Sequence, residues 1–172
     1  TALPKLEAHA HKNEIYLTDT VALAASEGRA RVVIHDNFSE VQGVNDRWEL
    51  AMARQALQRR IVEAHARAGV DFVQPDSVVV DHSVEIAEDV TIGASVVLEG
   101  QTVIASGAVV GPFCHIRDST IGERVEVNSH SVCESAHVES DARIGPYARL
   151  RPGSRVCSGA RVGNFVEMKK ST

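Results

Sequence analysis

The chain has 172 residues, enough for one sizeable core or two small ones. Hydrophobic residues make up 44% of it and aromatic residues only 4%, so the apolar side chains are mainly Val, Ile, Ala and Leu, which suit a regular stack of small groups. A formal net charge of −5 provides no basic surface for nucleic acid, and no apolar run is long enough to span a bilayer.

Residues 1–45 carry the pattern of the end of an α/β domain. The segment TDTVALAASEG predicts a short helix capped by Thr18 or Asp19 and ended by Gly28. RVVIH, residues 31–35, predicts a short strand, and a helix followed by a strand is typical of an α/β domain. Because this stretch is too short to be a whole domain, we expect the chain to be part of a longer protein.

Residues 46–69 predict one amphipathic linker helix. Asn45 or Asp46 is suited to cap its start, and Gly69 is suited to end it. Apolar residues recur at steps of three or four, which predicts that this face packs: Leu50, Ala53, Leu57, Ile61, Ala64 and Ala68.

Residues 70–172 repeat with a period of six. Aliphatic residues recur at that step, each with a small or β-branched residue two positions earlier: Val80, Ile86, Ile92, Leu98, Ile104, Val110 and Ile116, then Val138, Ile144, Leu150, Val156, Val162 and Met168. Neither a helix nor an ordinary strand has this period, whereas a parallel β-helix of hexapeptide repeats does. Three sides of six residues make a coil of about eighteen, so we expect between five and six coils. Shorter steps between Ile116 and Val138 predict tightened corners.

The cysteines Cys114, Cys133 and Cys157 form neither an even set nor a CxxC pair, which indicates reduced thiols in the cytoplasm. Cys114 falls at an inward position of the repeat and is expected to be a core residue.

Four segments resemble one bacterial family: EIYLTD at 14–19, EVQGVNDR at 40–47, IGPYARLRPG at 144–153 and VGNFVEMKK at 162–170. The family is that of the bifunctional N-acetylglucosamine-1-phosphate uridyltransferase/glucosamine-1-phosphate acetyltransferases, and the last two motifs are specific to it. The resemblance implies a left-handed β-helix and a homotrimer. It also implies acetyl transfer from acetyl-CoA to glucosamine-1-phosphate, and then a Mg²⁺-dependent reaction of N-acetylglucosamine-1-phosphate with UTP.

The resemblance also implies roles for residues in both sites. Asn45 matches a Mg²⁺ ligand, as an amide oxygen is a suitable hard donor, although a helix N-cap is the alternative and one residue can serve both. Tyr16 and Thr18 match a loop that lines the sugar pocket, and a helix-start turn is their alternative. The family's general base is a histidine that falls after Thr172, so we expect no catalysis from these residues alone.

Arg151 and Lys169 are eighteen residues apart, one full coil, and are predicted to stand one above the other. Two stacked cations repel unless an anion joins them, and the resemblance places both on the phosphate of glucosamine-1-phosphate. The alternative is a solvated basic edge.

The solenoid histidines His82, His115, His130 and His137 admit a zinc site like that of trimeric carbonic anhydrases, but their spacing favours exposed turn residues. Two other functions stay open for the whole chain: a sugar-nucleotide pyrophosphorylase whose β-helix only oligomerises, and a non-catalytic trimeric scaffold.

Overall fold

The computed structural model describes residue 6 and residues 14–34, 36–37 and 40–172. These residues form two compact units, one ending at Gln42 and the other running from Gly43 to Thr172. In the first unit, helix α1 spans Asp19–Ser26, with Thr18 at its N-cap and Gly28, at φ 69°, just after its end. The predicted short helix is therefore confirmed.

The predicted strand at 31–35 is wrong over residues 31–34, which have no strand conformation. Val32, Val33 and Ile34 are each at least 85% exposed. A β-strand needs a neighbouring strand to satisfy its backbone groups, and the described residues of this unit contain no other strand. His35 lies outside the described residues.

Helix α2 spans Arg47–Arg67 and has a side-chain cap at its start. The Asp46 carboxylate accepts a hydrogen bond from the Glu49 backbone N–H at 2.8 Å, which satisfies one of the helix's unpaired N–H groups. Gly69, at φ 103°, follows the end of the helix in a conformation that favours glycine. Of the two alternatives for the cap, the structure therefore selects Asp46 over Asn45.

The packing face of α2 differs from the predicted one by about one residue. Val62 is buried and Ile61 packs against the core, whereas Leu57 is 53% and Leu50 38% exposed. Gln58, Ile61 and Val62, all in the C-terminal half of α2, pack against the solenoid, and the helix contacts β2 (defined below) and a 3₁₀ turn at Pro75–Ser77. The apolar stripe predicted from the sequence thus lies largely in solvent. None of the helices in the described residues is long and apolar enough to cross a membrane.

The rest of the second unit consists of seventeen very short strands, most of them of two residues. In chain order they are β1 Asp71–Phe72, β2 Val79–Val80, β3 Glu85–Ile86, β4 Thr91–Ile92, β5 Val97–Glu99, β6 Val103–Ile104, β7 Val109–Val110, β8 His115–Arg117, β9 Thr120–Ile121, β10 Glu126–Val127, β11 Val132–Glu134, β12 His137–Val138, β13 Arg143–Ile144, β14 Arg149–Leu150, β15 Arg155–Val156, β16 Arg161–Val162 and β17 Glu167–Met168.

Every third strand pairs in parallel, which makes three sheets around one core. The first sheet has the order β1-β4-β7-β10-β13-β16, the second β2-β5-β8-β11-β14-β17 and the third β3-β6-β9-β12-β15. Register partners are eighteen residues apart at Val79 and Val97 but seventeen at Val103 and Thr120. The corners after β8 and β11 are each one residue shorter, so the predicted β-helix with tightened corners is confirmed.

The core is the column of inward side chains that the period of six predicts. One buried residue of each repeat lies on the strand and another two positions before it, as with Ile144 and Ala142 or Leu150 and Ala148, all at most 1% exposed. Cys114 occupies such an inward position at 1% exposure, as expected. Each fully buried Leu, Ile or Val stabilises the fold by roughly 1.5–3 kcal/mol, and the alternate positions on each strand remain on the outer surface.

Candidate functional site

The second sheet brings Arg151 and Lys169 into register. Leu150 of β14 pairs with Met168 of β17, and both side chains point into the core. The next residue along each strand therefore faces outward, and Arg151 lies one coil away from Lys169 on the same side of the solenoid. The predicted stacking of these two residues is confirmed as geometry, while their role in binding stays a prediction.

Hydrogen bonds on both sides fix the backbone of Arg151. Its N–H donates to the carbonyl of Met168 at 2.9 Å, and its own carbonyl accepts from the N–H of Ser154 at 3.1 Å. The hydroxyl of Ser154 donates to the same carbonyl at 2.7 Å, and Ser154 is buried. The root of the Arg151 side chain is therefore rigidly held, which favours a defined position for its guanidinium.

The Arg151 guanidinium has a partner that the sequence interpretation did not include. Its Nη1 donates to Glu167 Oε1 at 3.0 Å, and the two side chains are 37% and 52% exposed. A surface ion pair of this kind is worth about 1 kcal/mol or less, so an anion can compete with it. The other guanidinium nitrogens of Arg151 make no further ion pair or hydrogen bond with the part of the chain that the structure describes.

Lys169 is exposed, and within the described residues no carboxylate lies within 4.0 Å of its ammonium group. An unpaired ammonium beside a partly neutralised guanidinium is a site of positive potential. Such a pair suits a phosphate group, since Arg offers a planar fork of donors and Lys a point charge.

The same face carries a regular series of contacts between polar and charged side chains, which we call the charged face and define as Glu99, His115, Arg117, Glu134, Arg149, Arg151, Glu167 and Lys169. Three of these contacts join the first residue of a strand to a residue at or just past the end of the strand one coil earlier: His115–Glu99 at 2.8 Å, Arg149–Glu134 at 3.3 Å and Glu167–Arg151 at 3.0 Å. Arg117 also contacts Glu134 at 3.0 Å. Along this face, Lys169 is the one charged residue that has no described partner.

The remaining predicted site residues lie near helix starts. Asn45 is exposed, and its backbone N–H donates to Glu49 Oε2 at 2.6 Å. Hydrogen bonds from the Asn45 backbone and side chain lower the pKa of the Glu49 carboxyl. Tyr16 and Thr18 are exposed and precede α1, where the Tyr16 carbonyl accepts from the Asp19 N–H at 3.1 Å. These contacts agree with the turn alternative for Tyr16 and Thr18 without testing the pocket role.

The histidine prediction is correct for two residues and wrong for two. His82 and His130 lie in turns, whereas His115 and His137 lie on strands β8 and β12. Each of the two directly precedes an inward aliphatic residue of the repeat, Ile116 or Val138, and so occupies the outward position of a strand. No group of three His, Cys, Asp or Glu side chains in the described residues is placed to hold a metal ion.

The cysteines are unpaired, with Cys114 and Cys133 buried and Cys157 exposed. Burial raises the pKa of the Cys114 thiol to about 11 and that of Cys133 to about 12. Both therefore remain protonated thiols at neutral pH, which agrees with their interpretation as small core residues.

One exposed feature escaped the sequence interpretation. Phe113, His130, Tyr147 and Phe165 occupy the same corner of successive coils, each with φ between 57° and 60°. Their rings stack with centroids 4.8–5.2 Å apart and planes within 13° of parallel. The sequence does contain a signal for this stack, since the four aromatic residues are spaced one coil apart, 17 or 18 residues. The stacked rings connect the same corner of successive coils and lie outside the charged face.

Curated relatives match the chain over nearly its whole length. The "Bifunctional protein GlmU" of Alkalilimnicola ehrlichii is 43% identical over 169 residues, which cover 97% of this chain and 36% of the relative. The protein of the same name from Clostridium novyi is 42% identical over 170 residues, covering 99% of this chain and 37% of the relative. The chain thus spans just over a third of the length of these relatives.

No family model matches the chain. Among solved structures, a mutant of perosamine N-acetyltransferase from Caulobacter crescentus, in complex with CoA and GDP-perosamine, is 20% identical with a TM-score of 0.44. That match covers 72% of each chain and is too distant to bear on function. The curated relatives, by contrast, are about 40% identical to this chain over nearly all of its length. The chain therefore belongs to the family of the bifunctional protein GlmU, of which it spans one segment.

Proposed function

We propose that this chain is a segment of a bifunctional enzyme that makes UDP-N-acetylglucosamine, and that its solenoid binds the phosphate of glucosamine-1-phosphate for acetyl transfer. The observation that carries the proposal is the placement of Arg151 and Lys169 in adjacent coils on one outer face. The family assignment and the two motifs that contain these residues support the same conclusion.

In the proposed acetyl transfer, the amine nitrogen of the sugar attacks the thioester carbonyl carbon of acetyl-CoA. A C–N bond forms, the C–S bond breaks, coenzyme A leaves as a thiolate and the amine gives up a proton. Arg151 and Lys169 hold the sugar phosphate and thereby fix where the amine lies. We assign no general base to a residue of this chain.

Because the phosphate does not change during acetyl transfer, Arg151 and Lys169 contribute equally to binding the ground state and the transition state. Loss of such an interaction raises KM and leaves kcat largely unchanged. Steady-state acetyl transfer by the full-length protein tests this, with Arg151→Ala and Lys169→Ala compared with Arg143→Ala. Arg143 pairs with Glu126 at 2.8 Å on β13 of the first sheet, so it is a matched control.

For the uridylyl step, we propose that Asn45 supplies one oxygen ligand to Mg²⁺ and that Tyr16 and Thr18 line the sugar pocket. A phosphate oxygen of N-acetylglucosamine-1-phosphate attacks the α-phosphorus of UTP, and pyrophosphate leaves. Mg²⁺ usually keeps several waters and takes few protein ligands, so a single exposed amide fits a partial role. The test is Asn45→Ala in the full-length protein, which raises the Mg²⁺ concentration required for half-maximal uridylyl transfer.

We further propose that the full-length protein is a cytoplasmic homotrimer. The exposed charged face and the buried, unpaired Cys114 and Cys133 are compatible with this. Light scattering of the purified full-length protein measures the subunit number. Absence of acetyl transfer by the wild-type full-length protein would instead favour the alternatives, a pyrophosphorylase with an oligomerising β-helix or a non-catalytic trimeric scaffold.

A further inference from the structure

Glu134 binds two arginines on the charged face. Its Oε1 accepts from Arg117 at 3.0 Å and its Oε2 accepts from Arg149 at 3.3 Å. The Glu134 side chain is only 22% exposed, less than either arginine. One half-buried carboxylate thus fixes two guanidinium groups, one from the coil before it and one from the coil after it.

Arg149 has a second carboxylate within reach. It pairs in register with Glu167, and it lies two residues before Arg151 on the same face of β14. Two residues of extended strand span about 7 Å, which a guanidinium on its flexible stem covers easily. In the structure, however, Arg149 turns to Glu134, and Glu167 is left to bind Arg151.

We propose that Glu134 is a positioning residue of the phosphate site, which withholds Arg149 so that Arg151 and Lys169 are the cations that meet the phosphate. This inference rests on the proposed function. Without Glu134, Arg149 turns either to the phosphate directly or to Glu167, and in the second case Arg151 loses its carboxylate partner. Both rearrangements place one more uncompensated positive charge beside the anion.

The consequence is that Glu134 limits how tightly the site holds an anion. An added unit charge about 8 Å from a phosphate in a largely solvated setting strengthens binding by about threefold. A site with this limit releases a phosphorylated product more readily than a site that uses every nearby cation.

Inorganic phosphate is a suitable probe, titrated into the 172-residue chain while the Nε–Hε signals of the arginines are followed by NMR. In the wild type, the signal of Arg151 is expected to shift and that of Arg149 to stay in place. Glu134→Gln is expected to bind phosphate about threefold more tightly, and the double variant Glu134→Gln/Arg149→Ala is expected to return to wild-type affinity. Glu126→Gln, which releases Arg143 on the first sheet, is the matched control and is expected to have no effect.

The outcomes separate the two proposals. If Arg151→Ala and Lys169→Ala leave phosphate binding unchanged, the phosphate site itself is wrong. If they weaken it but Glu134→Gln does not strengthen it, or the gain survives Arg149→Ala, only the role of Glu134 is overturned. Should Glu134→Gln fail to fold, the wild-type spectra still decide, since a shift of the Arg149 signal together with that of Arg151 contradicts the inference.

Discussion

Gln58 of α2 bonds both backbone groups of Val80. Its side-chain oxygen accepts from the Val80 N–H at 2.9 Å, and its side-chain nitrogen donates to the Val80 carbonyl at 3.0 Å. Val80 lies in β2, the edge strand of the second sheet. Unpaired backbone groups on such an edge are a template for association with other chains. Gln58 satisfies these groups, as the backbone of a further coil would.

Gln58→Leu is expected to destabilise the first coil by roughly 1–3 kcal/mol for each buried group left unpaired. Urea unfolding gives the total change, and hydrogen exchange of the Val80 amide locates it. Gln55→Leu is the control, since Gln55 is exposed on the same helix. Equal stability of the two variants would show that the Gln58 bonds contribute nothing to the edge.

Gly93→Ala is expected to destabilise the solenoid by about 1–3 kcal/mol, the usual cost of overpacking. A Cβ at Gly93 would lie 2.7 Å from the Pro112 backbone nitrogen and 2.9 Å from the Gly111 carbonyl carbon, and backbone in the next coil has little room to move. The same substitution at Gly43, just before α2, meets nothing within 4 Å and is expected to change stability by less than about 0.5 kcal/mol. Thermal unfolding of both variants checks this, and a similar loss at Gly43 would contradict it.

The thiols should react very unequally with iodoacetamide in the native chain. Cys157 is exposed, whereas burial raises the pKa of Cys114 to about 11 and that of Cys133 to about 12. Since the thiolate is the nucleophile, about a thousandth or less of either buried thiol is reactive near pH 8. Mass spectrometry should find one modified cysteine in the native chain and three in urea. Rapid modification of Cys114 or Cys133 without urea would disagree with the packed core.

His65 should make the stability of α2 depend on pH. Burial lowers the pKa of His65 below its usual value of 6.5, so just below that value the unfolded chain binds more protons than the folded one. Stability then falls as the pH drops from the usual pKa toward the lowered one. Urea unfolding at about pH 7.5 and about pH 5.5 should show a smaller loss for His65→Gln than for the wild type. His82→Gln, in an exposed turn, should behave like the wild type.

The periodic part of the fold could be read from the sequence because each repeat obeys the same local rule. Inward residues such as Ile144 and Leu150 must be apolar to form the column, and their spacing alone places Arg151 above Lys169. The same register reasoning, extended to the outer face, would have found Glu134 and Glu167 as charged neighbours of that pair.

The predictions that were wrong concern features that depend on contacts between different secondary-structure elements. The apolar stripe of α2 predicts a packing face at Leu50 and Leu57, but the open backbone groups of Val80 draw Gln58 inward and turn the helix by about one residue. Nothing in a single helix sequence reports the position of a strand edge. The extended pattern at Val32–Ile34 likewise lacks a neighbouring strand among the described residues, and local propensity cannot supply one.

The most direct measurement is calorimetric titration of the full-length protein with glucosamine-1-phosphate and, separately, with glucosamine. Charge-assisted hydrogen bonds of about 1.5–3 kcal/mol predict that Arg151→Ala and Lys169→Ala each weaken binding of the phosphorylated sugar by about tenfold or more. Binding of glucosamine and the behaviour of Arg143→Ala should match the wild type. Unaltered affinity for glucosamine-1-phosphate in both variants would contradict the account.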